Sequence, residues 1–180
     1  MKSGDVARGA MVGLVGGLLA AGAMSVVHRI LAAPSRQARE SPPSPAEDPT
    51  VKVASAATRL AGYRLAEDQK APGGSVVHYG FGALVGAVHG AAAEIVAIVC
   101  SAVGLPFGAA VWLGAHVIAV PALGLAESPL RQPVGKEAGE LGLHFVYGSV
   151  AELVRRFLRP QRDTPLTRFS QKISTSTPGE

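Results

Sequence analysis

Residues 9–27 read GAMVGLVGGLLAAGAMSVV and contain no Asp, Glu, Lys or Arg. A helix crossing the hydrocarbon core of a bilayer needs about 20 predominantly apolar residues, which this stretch nearly supplies by itself. Gly104–Leu125 is a second uncharged run. Over 180 residues only 17% are charged and 48% are hydrophobic, whereas soluble domains carry about a quarter charged residues. The chain therefore reads as an all-α membrane protein with four transmembrane helices and one amphipathic interfacial helix in the first loop.

Working outward, the first span is expected over Ala7–Ala33. Lys2, Arg8 and the Ala21-Gly22-Ala23 triplet would also suit a cleaved signal peptide. The apolar run continues past that triplet, however, and carries a small-residue ridge, so a retained helix is the better reading. Gly9, Gly13, Gly17, Ala21 and Ser25 recur every four residues, a spacing that lets a second helix approach closely. Pro34–Thr50 is polar and holds five prolines. Such a stretch cannot bury enough surface to offset its ordering entropy and reads as an extended linker. Val51–Glu67 has an apolar face of Val53, Ala57, Leu60, Ala61 and Leu65, suiting a helix on the membrane surface or on the rim of the bundle.

The second span is expected over Ser75–Val99, the third over Leu105–Leu125 with Pro121 breaking its end, and the last over Lys136–Leu158. In segments, residues 1–33 form the first transmembrane helix, 34–74 the linker and amphipathic helix, 75–158 a three-helix membrane core and 159–180 a basic polar tail. The formal charge is +4, but the Lys and Arg residues lie in tails and one long loop, and no base-reading motif is present. Such charges set orientation and meet lipid headgroups, and no nucleic-acid partner is expected.

Seven ionisable residues fall inside the last three helices: His78, His89, Glu94, His116, Glu140, His144 and Glu152. Each is costly at the bilayer centre, by about 2.5–3.5 kcal/mol for a charged side chain on insertion scales, so they should face the bundle interior. In the second span His78, Gly82, Gly86, Gly90 and Glu94 recur every four residues. Glu140, His144, Gly148, Glu152 and Arg156 do so in the last. Gly13, Gly17, Gly82, Gly86, Gly90 and Gly148 are the expected packing glycines. Three uses of the polar set compete: hydrogen-bonded glue between helices, a path for protons or a small ion, and an intramembrane metal site in which Glu140 and His144 join His89 or His116. No tight metal motif, nucleophile elbow or phosphate-cradling glycine loop accompanies Cys100, Ser101 or Ser149. An enzyme is not expected, nor a cofactor.

The stretch ELGLHFVYGSVAELVRR, Glu140–Arg156, resembles the end of the YagU-like bacterial inner-membrane proteins. The matching positions are Glu140, His144, Tyr147, Glu152, Arg155 and Arg156. His116, Pro121 and Gly124 in the third span are similar to the family in spacing, as are His78 and Glu94 in the second. His89 stands where the family has an aromatic and ranks behind the others. The family is a domain of unknown function, so the resemblance implies topology and location and no reaction. It raises His78, Glu94, His116, Glu140, His144 and Glu152 as candidates.

The resulting expectation is a multi-pass protein of the bacterial inner membrane, with the lipid bilayer as its first partner and a homo-oligomer or another membrane protein as a further one. Arg155, Arg156, Arg159 and Arg162 crowd the end of the last helix, and Lys2 and Arg8 the start of the first. By the positive-inside rule both termini belong in the cytoplasm. A non-enzymatic scaffold or accessory role leads, with proton or small-ion handling as the alternative and a metal site third.

Overall fold

The structure, a computed structural model, describes residues 3–32, 48–96 and 102–159. Most of the expected linker, the end of the second span, Cys100, Ser101 and the basic tail past Arg159 lie outside the described residues. Every regular element among the described residues is helical: α1 (Ser3–Ala32), α2 (Pro49–Leu60), α3 (Glu67–Ala93), α4 (Leu105–Ala122) and α5 (Val134–Leu158). Of these, α1, α3 and α4 are long and apolar enough to cross a membrane.

Glycine places α1 against α3. A Cβ added to Gly13 would land on the backbone of Gly86 and Gly90, one on Gly17 on Gly82 and Gly86, and one on Gly90 on Gly9 and Gly13. The two four-residue ridges therefore run antiparallel, backbone on backbone, with Gly9 beside Gly90 and Gly17 beside Gly82. The same device joins α4 to α5. Gly148 faces Gly104 and Gly108, while Gly108 lies on the backbone of His144. Gly104 also ends the connection before α4 in a left-handed conformation (φ 83°), which glycine adopts without a steric cost.

Two boundaries differ from expectation. The last residues of the supposed linker belong to α2. Asp48 caps it, its carboxylate accepting from the Thr50 amide at 2.8 Å and the Thr50 hydroxyl at 2.6 Å, with Pro49 in the first turn, where a missing N–H is tolerated. The helix then stops at Leu60 instead of continuing to Glu67. Gly62 is left-handed (φ 79°), and the amides of Gly62 and Tyr63 return to the carbonyls of Arg59 and Thr58 at 3.0 and 2.9 Å. This is the Schellman closure that glycine favours. Leu65 falls in the connection and Glu67 opens α3, which begins eight residues before Ser75 and runs through Pro72. Val51 and Ala54 of α2 pack on Gly74 and Gly73, so α2 lies across the rim of the bundle.

The third span is not uniform. Residues Trp112–Ala119 are π-helical, ending immediately before Val120 and Pro121. A proline ring collides with the carbonyl four residues earlier in a regular α-helix, and the wider turn relieves that collision. Alpha-helical Leu105–Val111 stays close to α5, whereas the π segment splays away from it.

The interior is small and polar, the exterior large and apolar. Ala20, Ala21, Tyr147 and Ala151 form the buried core, and among the described residues the one large side chain with no exposure is Glu152. Leu14, Leu18, Ile30, Leu84, Val88, Leu113, Ile118, Leu153 and Phe157 are all exposed. An outward apolar belt around an interior of glycine, alanine and paired charges suits lipid as the solvent.

A substitution series tests the glycine contact. Gly86→Leu should cost about 2 kcal/mol or more, because the obstruction is backbone that cannot turn aside. Gly114→Leu, whose Cβ meets nothing within 4 Å, should leave the thermal midpoint in detergent close to that of the parent.

Candidate functional site

The polar side chains gather in two centres at opposite ends of the bundle. One lies where the N-terminus of α1 and the C-termini of α3 and α5 meet. Glu152 is its hub. Its carboxylate accepts from Arg155 through Nε at 2.7 Å and Nη2 at 2.8 Å, from Arg156 Nε at 2.7 Å and from His89 Nε2 at 3.3 Å. The Arg residues reach it because positions three and four apart on a helix share a face. Arg155 is buried with it, whereas the Arg156 side chain is 41% exposed. His89 spends Nε2–H on the carboxylate, lies flat on Phe107 with ring centroids 3.8 Å apart, and leaves its buried Nδ1 without a partner among the described residues. Beside this hub Arg159 pairs with Glu94 at 2.9 Å and donates to the Asp5 carbonyl at 3.0 Å. One guanidinium thus ties α1, α3 and α5 together.

The second centre is a cavity of about 280 Å³ near the other end, between α1, α3, α4 and α5. The splay of the π segment opens it. His78, His116, His144 and Glu140 line it, with Tyr147 on the wall towards the middle of the bundle. His116 Nε2 lies 3.0 Å from Glu137 Oε2, His144 Nδ1 donates to the Glu140 carbonyl at 2.8 Å, and His78 Nε2 meets Ser25 Oγ at 3.3 Å and the Ala21 carbonyl at 3.4 Å. The rings of His116 and His144 are 6.1 Å apart.

The structure thus divides the expected polar set. His78, His116, His144 and Glu140 come together around one cavity, while Glu152 and Glu94 sit in ion pairs at the opposite end. His89, ranked last on the resemblance, is the one histidine in contact with Glu152. Among the described residues no hydrogen bond links His89 or Glu152 to any of His78, His116, His144 or Glu140. The Tyr147 hydroxyl, which lies between, donates to the Gly82 carbonyl at 2.6 Å. Among the described residues, moreover, no three His, Cys, Asp or Glu side chains converge in a way that could hold a metal ion. The metal reading, which joined Glu140 and His144 to His89 or His116, therefore has no geometry to support it.

Sequence reasoning missed Glu137, although Glu137, Glu140 and His144 share a face of α5. It also counted Arg155 and Arg159 as orientation signals and did not see them as the partners of Glu152 and Glu94.

A protein-family profile described as Protein of unknown function (DUF1440) matches residues 21–153. The chain belongs to this family. The matched DUF1440 region contains the whole cavity, His89 and Glu152, and stops just short of the arginines that hold Glu152. No curated protein and no solved structure matches the chain.

The hub should be sensitive to the loss of one partner. Glu152→Ala removes the carboxylate that faces buried Arg155 and is expected to cost about 3–5 kcal/mol. Arg156→Ala, at a half-exposed position, should cost at most about 1 kcal/mol. Replacing Glu152 and Arg155 together by Leu and Met should recover most of the loss, as read by unfolding in detergent.

Proposed function

We propose that this is a four-span, non-enzymatic scaffold or accessory protein of the bacterial inner membrane, whose buried His, Glu and Arg contacts fix the helices relative to one another. The observation that carries the reading is the hub at Glu152. Its two oxygens accept from two guanidinium groups and one imidazole, which leaves little capacity for a passing proton or substrate. Carboxylates tied in this way hold helices together.

Although α5 is too charged to be recognised as a span by composition, three features support counting it as the fourth. It runs antiparallel to α4 through the Gly104, Gly108 and Gly148 contact. Most of its charges near Glu152 are paired, and Leu153 and Phe157 project outward in line with the apolar belt. The YagU-like likeness of the same helix fits this topology. Arg155, Arg156 and Arg159 adjoin the end of α5, where Lys and Arg have most weight on orientation. Arg159 also touches Asp5, so the two described ends lie on one side, which the rule assigns to the cytoplasm.

The alternative, proton or small-ion handling, would have to pass the break between the cavity and the hub. Two measurements separate the readings. Proteoliposomes carrying the wild-type chain should dissipate a pH step no faster than empty vesicles. A leak that disappears in folded His116→Leu protein would establish the alternative. For orientation, in a Cys100→Ala background, Gly135→Cys should react with an impermeant maleimide in intact cells and Gly4→Cys should react only after lysis. The reverse pattern would place the termini outside.

A further inference from the structure

The cavity between α1, α3, α4 and α5 has a chemical polarity of its own. Every side-chain donor on its wall is already spent on the protein. Tyr147 donates to the Gly82 carbonyl and the Thr50 hydroxyl to Asp48. His144 uses its Nδ1–H on the Glu140 carbonyl, and His116 directs its Nε2–H to Glu137. The Ser25 hydroxyl donates to the Ala21 carbonyl at 3.0 Å, so towards His78 it can only accept. His78 Nε2 must then carry the proton that Ser25 and Ala21 share. A neutral imidazole with one N–H committed keeps a lone pair on the other nitrogen. In that form the three rings offer lone pairs, with no partner for them among the described residues.

Two carboxylates add to this. Glu140 and Glu127 line the same cavity, and neither side chain has an ion-pair or hydrogen-bond partner among the described residues. Among the described residues no Lys or Arg lines it. Lys52, at the same rim, is held on the Leu125 carbonyl at 2.5 Å. The rest of the wall is predominantly apolar, with Phe81 and Tyr147 offering aromatic faces. The acceptors do not converge on a point, which disfavours a bare metal ion. They are spread around a space suited to several atoms.

We infer that this cavity binds a small organic cation bearing more than one N–H donor, of the diamine or guanidine class, with Glu127 and Glu140 balancing its charge and the free nitrogens of His78, His116 and His144 accepting its hydrogens. Such a cation supplies what the wall lacks, and the aromatic faces add cation–π attraction. The inference goes beyond the packing role and does not depend on it, since the ion-paired hub lies at the other end of the bundle.

The chain carries its own reporter. Trp112 is its single tryptophan, and its ring lies 6.4 Å from that of His116. The full-length protein in lipid nanodiscs would be titrated with 1,4-diaminobutane, methylguanidinium and, as the opposite charge, butanedioate. A saturable change in Trp112 emission is expected with at least one of the cations and none with butanedioate. Glu127→Gln, on the exposed connection after α4, keeps the fold and should weaken binding about tenfold, the loss of one charge-assisted hydrogen bond. His144→Phe should remove the response while the glycine-packed helices keep their circular dichroism. Three results would each overturn the inference: no saturable response to either cation, an equal response to butanedioate, or unchanged affinity in both Glu127→Gln and Glu140→Gln.

Discussion

Backbone touching backbone between α1 and α3 is the contact from which the remaining architecture follows. Lipid tails are as apolar as leucine, so helices in a bilayer gain little by hiding large side chains from their surroundings. They gain by close approach, through dispersion and weak carbonyl contacts. Gly9, Gly13 and Gly17 opposite Gly90, Gly86 and Gly82 supply that approach. Once the register is set, the polar ends of the two ridges are fixed. Ser25 must meet His78 at one end, and Gly9 must meet Glu94 at the other. With no side chain between the axes, neither end can slide without a backbone collision.

The second glycine contact, between α4 and α5, covers only the first half of α4. Where regular α-helix gives way to π-helix at Trp112, the two axes part and the interior opens. Open and closed halves of the bundle thus have different chemistry for one reason. In the closed half, near Glu152, helices are tight enough for Arg155 and Arg156 to fold back onto a carboxylate with no water between. In the open half the same residue types, His and Glu, stand around a space and keep unspent acceptors. A burial penalty applies to both. One half offsets it by ion pairing, the other by retaining access to a cavity.

Much of the fold was legible because its signals are periodic. Uncharged runs of about 20 residues mark spans, and the four-residue ridges on α1 and α3 lie on the faces that meet. What periodicity could not supply was pairing between distant segments. Nothing in the run Glu140–Arg156 says that Arg155 turns inward to Glu152 while Arg156 stays half in solvent, nor that Arg159 crosses to Glu94. Those choices depend on how closely α3 and α5 approach, which is a tertiary quantity. The same holds at His89. The YagU-like resemblance implied an aromatic there, and the imidazole does stack on Phe107 as an aromatic would, but it also lends an N–H to Glu152. The ends of α2 were misplaced for a local reason. Asp48 and Gly62 are both recognisable cap residues, and an apolar pattern extending to Leu65 outweighed them.

Because Arg159 holds both Glu94 and the Asp5 carbonyl, the last residues of the described chain close a structure whose other parts are made much earlier. Asp5 precedes Arg159 by 154 residues, and His89 precedes Glu152 by 63. At a synthesis rate of about 5–20 residues per second those gaps amount to roughly 8–30 s and 3–13 s. α3 is thus synthesised well before the groups of α5 that pair with His89 and Glu94.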